Sequence, residues 1–398
     1  MKTLKTIDFK NKRALIRVDF NVPLDKTTYE INDDTRMRAA IPSIQYVIDQ
    51  GGSVVLMSHL GRPKEGPDEK YSLNHIVDHL SKLMNKKVLF VEDCISQKAF
   101  DLSSSLPNGE ILLLENLRFY KEEEKGDLSF AEKLSKHGDI YVNDAFGTAH
   151  RAHASTAIIA NYFPNNKCFG FLMEAEIENI EKVLNNGEKP ICAIIGGAKV
   201  SSKISIIEHL MDKVNSIIIG GGMAFTFIKA KGGEVGASLI EEDQLHKALQ
   251  ILEIAKEKNV KILLPIDCVI ADRFDNNASK KTVDINQIPN SWMGLDISEK
   301  TIKLFNEEIM KSKTILWNGP MGVFEMDSFS FGTKSIALSL VEATKKEAFT
   351  LVGGGDSVSA INQYNLADQI SYISTGGGAM LEYLEGIELP GIKAINQK

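Results

Sequence analysis

Short apolar and β-branched runs recur along the chain, each followed by a stretch with helical spacing of its apolar residues. In the first half the runs are Ala14–Val18, Val54–Met57, Val88–Val91, Ile111–Leu114 and Ile140–Val142. In the second half they are Ile191–Ile195, Ile217–Ile219, Ile262–Leu264, Thr314–Trp317, Phe349–Val352 and Ser371–Ser374. Continuous apolar runs of this length suit strands buried on both faces, as in a parallel sheet. Between them, Arg36–Ile48 places Met37, Ala40, Ile41, Ile44, Val47 and Ile48 on one helical face. Strand–helix alternation from end to end predicts an α/β fold with open parallel sheets. The pattern breaks at Asn161–Lys167, which marks a boundary between halves. A helix-like stretch, Met173–Leu184, stopped by Asn185-Asn186-Gly187, is placed to connect them.

Length agrees with two domains, since 398 residues is about twice the usual domain of roughly 100–200 residues. With 43% hydrophobic and 25% charged residues, wholesale disorder and a fibrous fold are excluded. A net charge of −7 argues against generic nucleic-acid or membrane-surface binding, which need a basic face. Four scattered cysteines make neither a disulfide framework nor a CxxC metal site, and Cys192 and Cys268 read as core. Met1–Arg13 is lysine-rich and has no apolar signal core, and no apolar stretch approaches the ~18–20 residues that span a bilayer. A reducing, cytoplasmic setting is expected.

In open α/β sheets ligands bind beyond the carboxyl ends of the strands. In the first half the residues there are Asp19 and Asn21, then His59 and Arg62, then Arg118, then His150, Arg151 and His153. Seven of the eight arginines lie at or before residue 151. Arginine grips phosphate or carboxylate through two parallel N–H groups, so several at equivalent topological positions predict a pocket for a small polyanion. Any one of them taken alone reads as a surface ion pair. The histidines complete no familiar metal spacing and read as anion contacts.

The second half ends its strands in glycine clusters: Gly196-Gly197-Ala198-Lys199, Gly220-Gly221-Gly222, Gly353-Gly354-Gly355-Asp356 and Gly376-Gly377-Gly378. Glycine lets backbone approach a ligand, and a helix opening there offers N–H groups to phosphate. Lys199 and Lys203, four apart, are expected on one face of such a helix. Asp356 supplies the hard oxygen that Mg²⁺ prefers. Neither GxxxxGK[ST] nor GxGxxG occurs, which excludes a P-loop NTPase and weakens a dinucleotide dehydrogenase. A nucleotide on one half and a small acid on the other suggest phosphoryl transfer, with closure expelling water. No general base is evident, and a carboxylate acceptor needs none because it is ionised at neutral pH. The residues themselves leave open which acid is used, and whether a non-catalytic nucleotide-binding protein shares the pattern.

Several segments resemble phosphoglycerate kinases, and they cover essentially the whole chain. They are Arg17-Val-Asp-Phe-Asn-Val-Pro23, Ser58-His-Leu-Gly-Arg-Pro63, Glu115-Asn-Leu-Arg-Phe119 and Asn143-Asp-Ala-Phe-Gly-Thr-Ala-His-Arg-Ala-His153. Further on come Gly196-Gly-Ala-Lys-Val200, Gly220-Gly-Gly-Met-Ala-Phe225, Trp317-Asn-Gly-Pro-Met-Gly-Val-Phe-Glu325, Gly353-Gly-Gly-Asp-Ser357 and Ser374-Thr-Gly-Gly-Gly378. The resemblance implies two Rossmann-like domains, each a mainly parallel sheet flanked by helices, joined by a hinge helix. It divides the chain into 1–170 with a tail of about 384–398, holding phosphoglycerate, and 171–383, holding the nucleotide.

The resemblance also implies reversible transfer between ATP and 3-phosphoglycerate, giving ADP and 1,3-bisphosphoglycerate with Mg²⁺, in a monomer. Nucleic acid and membrane are not expected partners. Carried over by position, Asp19, Phe20, Asn21, Arg36, His59, Leu60, Gly61, Arg62, Arg118 and Arg151 would bind the phosphoglycerate. Arg36, Lys199, Gly376 and Gly377 would attend the moving phosphoryl group. Lys203, Gly221, Gly222, Gly294, Leu295, Asn318, Glu325, Gly354, Gly355, Asp356 and Ser357 would bind the nucleotide, Asp356 also holding the metal. Arg38 is assigned no contact.

Overall fold

In the computed structural model, which describes residues 1–64 and 66–397, the chain divides into two compact units. One is Met1–Ile177 with the segment from Glu388 onward; the other is Glu178–Ile387.

The first unit is built on strands β1 (Arg13–Val18), β2 (Ser53–Met57), β3 (Val88–Val91), β4 (Ile111–Leu114), β5 (Ile140–Asp144) and β6 (Lys167–Phe169). They form one parallel sheet in the order β3-β4-β2-β1-β5-β6. The apolar runs are buried along nearly their full length, as strands covered by helices on both faces must be. The helix Thr35–Asp49 buries Met37, Ala40, Ile44 and Val47 against this sheet, with Ile41 and Ile48 packed at its edge. The break at Asn161–Lys167 does not end the unit. A 3₁₀ helix, Ile158–Tyr162, leads through it into β6, whose three residues are too few to show a period. At the other terminus, the helix Pro390–Asn396 packs here, Gly391 N donating to Ala149 O at 2.8 Å.

The helix Phe171–Glu181, ending in a π-helical turn at Lys182–Asn186, carries the chain from the first unit into the second. The strands there are β7 (Ile191–Ile195), β8 (Ser216–Ile219), β9 (Glu234–Val235), β10 (Lys261–Leu263), β11 (Asp267–Ala271), β12 (Lys280–Asp284), β13 (Gln287–Ile288), β14 (Met293–Ile297), β15 (Thr314–Asn318), β16 (Phe349–Val352) and β17 (Tyr372–Ile373). The main sheet is parallel in the order β10-β8-β7-β15-β16-β17. The alternation expected from end to end is interrupted. An antiparallel sheet, β12-β11-β14, occupies the middle of the unit, with β13 pairing β9 beside it. Most of Lys280–Asp284 is exposed, so that strand lacks the apolar run that reveals a strand buried on both faces. Separate apolar clusters lie under this small sheet and under the main one. No helix among the described residues is long and apolar enough to cross a membrane.

Candidate functional site

In the first unit, turns beyond the carboxyl ends of β1, β2 and β4 are tied to one another by polar contacts. Asn21 Oδ1 accepts from Gly61 N at 2.8 Å, and Gly61 O accepts from Arg118 Nη1 at 2.8 Å. Arg36 Nη1 lies 3.2 Å from Asp19 Oδ2 and donates to Asn21 O at 3.0 Å. Gly61 adopts φ +63°, and a Cβ there would lie 2.3 Å from the Tyr71 ring, so no other residue fits this turn. Asn116, buried after β4, donates to Leu60 O at 2.7 Å and fixes the same turn from behind. Asp19, Asn21, Arg36, His59, Gly61 and Arg118 are thus brought together. Arg151 adds its charge from beyond β5, acting on Arg118 and His153. Phe20 and Leu60 turn their side chains into the core and can offer only backbone. Arg62 follows Gly61 directly, and its exposed side chain lines an adjoining hollow with Lys64, Lys70 and Tyr71. Arg38 pairs with Asp34 at i,i+4 spacing on the surface.

Behind these residues lies a buried polar chain. Arg17, 1% exposed in the central strand, donates from Nη2 to His59 Nδ1 at 3.2 Å and from Nε to Ser155 Oγ at 2.9 Å. Ser155 in turn donates from Oγ to Glu123 Oε1 at 2.5 Å and from N to Oε2 at 3.0 Å. Burial holds the His59 imidazole well below its ordinary range, and the nearby charges of Arg17, Arg118 and Arg36 lower it further. His153 is likewise pushed down to about 4, by burial first and then by Arg17 and Arg118. Both rings are therefore neutral near pH 7. Burial raises Glu123, against the pull of Arg17 and Ser155. An arginine inside the apolar run Ala14–Val18 is a sequence signal for such a chain, because a charge in a doubly covered strand must find a partner. Nothing in the pattern points to Glu123 or Ser155.

In the second unit a cavity of about 740 Å³ opens beside the glycine turns. Gly221, Gly222, Gly294, Leu295, Glu325 and Asp356 line it, together with Phe225. A Cβ on Gly294 would lie 2.1 Å from the Phe225 ring, and one on Gly221 (φ +67°) would meet Gly197 N at 2.6 Å. Lys203 donates to Asn318 Oδ1, while Asn318 Nδ2 donates to Gly353 O at 2.7 Å. Gly354 adopts φ +90° against that amide, and the helix Gly355–Gln363 starts immediately after it, with Asp356 exposed in its first turn. Ser357 is buried with its Oγ accepting from Gly319 N at 2.6 Å. Gly376 N donates to Ser374 Oγ, and Gly377, at φ +52°, caps the helix Gly378–Leu384. One expectation fails here. Lys199 and Lys203 do not share a helical face, because the helix starts at Ile204, with Lys199 exposed in the loop and Lys203 at the cap. The glycine pair at its head lets the loop run on before the first helical turn. Burial lowers the Lys203 ammonium, while Asp356 and Glu385 raise it.

A basic pocket on one parallel sheet and a glycine-walled cavity on another give a two-unit α/β protein with one site suited to a small anion and one suited to a nucleotide, the pairing a phosphotransferase needs. The model of the family described as phosphoglycerate kinase matches residues 4–387, and the chain belongs to that family. It is 50% identical to a phosphoglycerate kinase of Porphyromonas gingivalis, the match covering 99% of both chains. It is 51% identical to one from Borrelia turicatae over 100% of each. Among solved structures, a phosphoglycerate kinase from Coxiella burnetii shares 40% identity at a TM-score of 0.91, covering 99% of this chain and 98% of that one.

Proposed function

We infer that the chain transfers a phosphoryl group reversibly between ATP and 3-phosphoglycerate, giving ADP and 1,3-bisphosphoglycerate, a step of glycolysis and gluconeogenesis. In the forward direction a carboxylate oxygen of the acid bonds to the γ-phosphorus as the bond to the β,γ-bridging oxygen breaks. The carboxylate is already ionised, so no residue need take a proton. In this reading Arg36, Arg62, Arg118, Arg151, His59, Asp19 and Asn21 grip the acid. Lys203, the glycine turns and Glu325 hold the nucleotide, the units closing over both before in-line transfer. Charge spreads over three equatorial oxygens as the phosphoryl group moves, so catalysis is mostly positioning and electrostatics. Arg36 and Lys199 are assigned to that charge, with the helix start at Gly376 and Gly377 beside it.

Asp356 fits a metal that arrives on the nucleotide. Mg²⁺ is commonly held by one or two carboxylates with substrate phosphates supplying further ligands. Asp356 offers one exposed carboxylate at a helix start, and no group of three or more His, Cys, Asp or Glu among the described residues makes a metal cage. Bound there, Mg²⁺ would neutralise developing charge on the β- and γ-oxygens. The working form in this reading is a cytoplasmic monomer.

The observation that carries the reading is the family match over nearly the full length of the chain. The test is a spectrophotometric assay with ATP, Mg²⁺ and a panel of carboxylates. Turnover is expected with 3-phosphoglycerate well above the others; preference for another acid would reassign the basic pocket.

A further inference from the structure

The geometry points to Arg17 as a positioning residue that fixes His59 in its Nε2–H tautomer, so that the ring meets an anionic substrate as a neutral hydrogen-bond donor. This rests on the basic pocket being the phosphoglycerate site. A guanidinium carries five N–H donors and no acceptor. With Arg17 Nη2 at 3.2 Å from His59 Nδ1 and both side chains buried, the contact is a hydrogen bond only if Nδ1 presents its lone pair. The single proton of the neutral ring then sits on Nε2. Nε2 has no hydrogen-bond partner among the described residues, so its N–H is available to a ligand oxygen.

Arg17 cannot easily yield the contact. Its Nε is bound to Ser155, its Nη1 donates to Val18 O, and Glu123 balances its charge through Ser155. Adding a proton at Nδ1 would set two N–H groups against each other. The groups facing the ring, namely Arg17, Arg36, Arg118 and His153, supply no negative charge to favour it, and Glu123 is engaged with Ser155. A neutral donor takes a phosphate or carboxylate oxygen without adding charge to a pocket already crowded with guanidinium groups.

Long-range ¹⁵N–¹H spectra of the histidines in the whole wild-type protein, without ligand, test this directly. His59 is expected to show an unprotonated Nδ1 and a protonated Nε2, unchanged between pH 5 and 8. A protonated Nδ1, or titration inside that window, overturns the inference. The double variant R17M/E123Q removes the guanidinium without leaving Glu123 as a lone buried charge. In it, burial still keeps the His59 ring neutral, but with no donor on Nδ1 the single proton is expected to divide between Nδ1 and Nε2, and the KM for 3-phosphoglycerate to rise about tenfold or more with a smaller change in kcat. An imidazole that behaves as in the wild type would again overturn the assignment. Because the spectra need no turnover, loss of the kinase reading would show as an inactive enzyme whose His59 tautomer is still fixed.

Discussion

Arg36 Nη1 lies 3.2 Å from Asp19 Oδ2, a contact that anchors one end of the guanidinium while 39% of the arginine side chain stays open to solvent. Its bond to Asn21 O ties it to the turn after β1, so the cation is set in place before any ligand arrives. A cation fixed in this way stabilises charge without reorganising at the moment of transfer. Arg36→Ala is expected to lower kcat by about 10²–10³, roughly 3–4 kcal/mol, with the KM for ATP nearly unchanged. Steady-state kinetics decide it: a raised KM for ATP at normal kcat would remove Arg36 from this role.

Asn318 is the link between Lys203 and the turn that begins at Gly353. Asn318→Ala breaks both bonds and frees a half-buried ammonium to wander. The expected result is a loss of about tenfold in ADP affinity by calorimetry. The affinity for 3-phosphoglycerate should hold, since Asn318 belongs to the second unit. Wild-type ADP binding in the variant would mean that Lys203 finds the phosphates unaided.

Gly294 lets the Phe225 ring lie against the backbone of β14. Gly294→Ala forces the ring, a wall of the cavity, to shift, and overpacking of this kind costs about 1–3 kcal/mol. Weaker ADP binding with an unaltered KM for 3-phosphoglycerate is expected. A variant with wild-type ADP affinity would take Gly294 out of the nucleotide site.

Asp356→Asn keeps the shape of the helix start and removes its charge. The Mg²⁺ concentration for half-maximal activity should rise by about tenfold or more, given how strongly Mg²⁺ depends on carboxylate oxygen. An unchanged metal titration would move the anchor to another residue.

The parallel sheets were legible because their strands are continuous apolar runs between amphipathic helices, as Leu15 and Ile16 in β1 or Ile194 and Ile195 in β7 show. The small antiparallel sheet was not, since Lys281 and Thr282 sit in an exposed strand and are polar. In the candidate site, the loops after the strands were legible because chemistry-bearing residues have little reason to cluster there otherwise. The spacing of Lys199 and Lys203 misled, because four residues describe one face only where the backbone is helical, and here it is a glycine-led loop. The support behind His59 depends on Glu123 and Ser155, which come from segments distant in sequence from Arg17. Only the fold brings those together.

Each unit also buries an aspartate whose titration is displaced upward, Asp144 in the first and Asp296 in the second, both raised to about 7 by burial. The unfolded chain ionises such a group near 3.8, so from about pH 4 to 7 the folded chain holds the extra proton. Stability from this source is complete below about pH 4 and is lost as pH rises towards 7. His137 and His153, lowered to about 4 by burial, act in the opposite sense. Their neutral forms favour the fold increasingly as pH climbs from about 4 to 6.5, so the wild-type curve alone is shallow and uninformative. Asp144→Asn separates the two contributions. Oδ1 of Asp144 accepts from Leu172 N at 2.9 Å and Met173 N at 3.2 Å, which an amide oxygen can still do. Oδ2 has no hydrogen-bond partner among the described residues, and the nearby Ser43 hydroxyl, which accepts as well as donates, can turn a lone pair to an NH₂ group there. At pH 5 the variant should melt at or slightly below the wild-type temperature. By pH 8 the comparison should have moved about 3–5 °C in the variant's favour, because only the wild type must ionise a buried carboxyl. Parallel melting curves at every pH would show that Asp144 ionises in the fold as freely as in the unfolded chain.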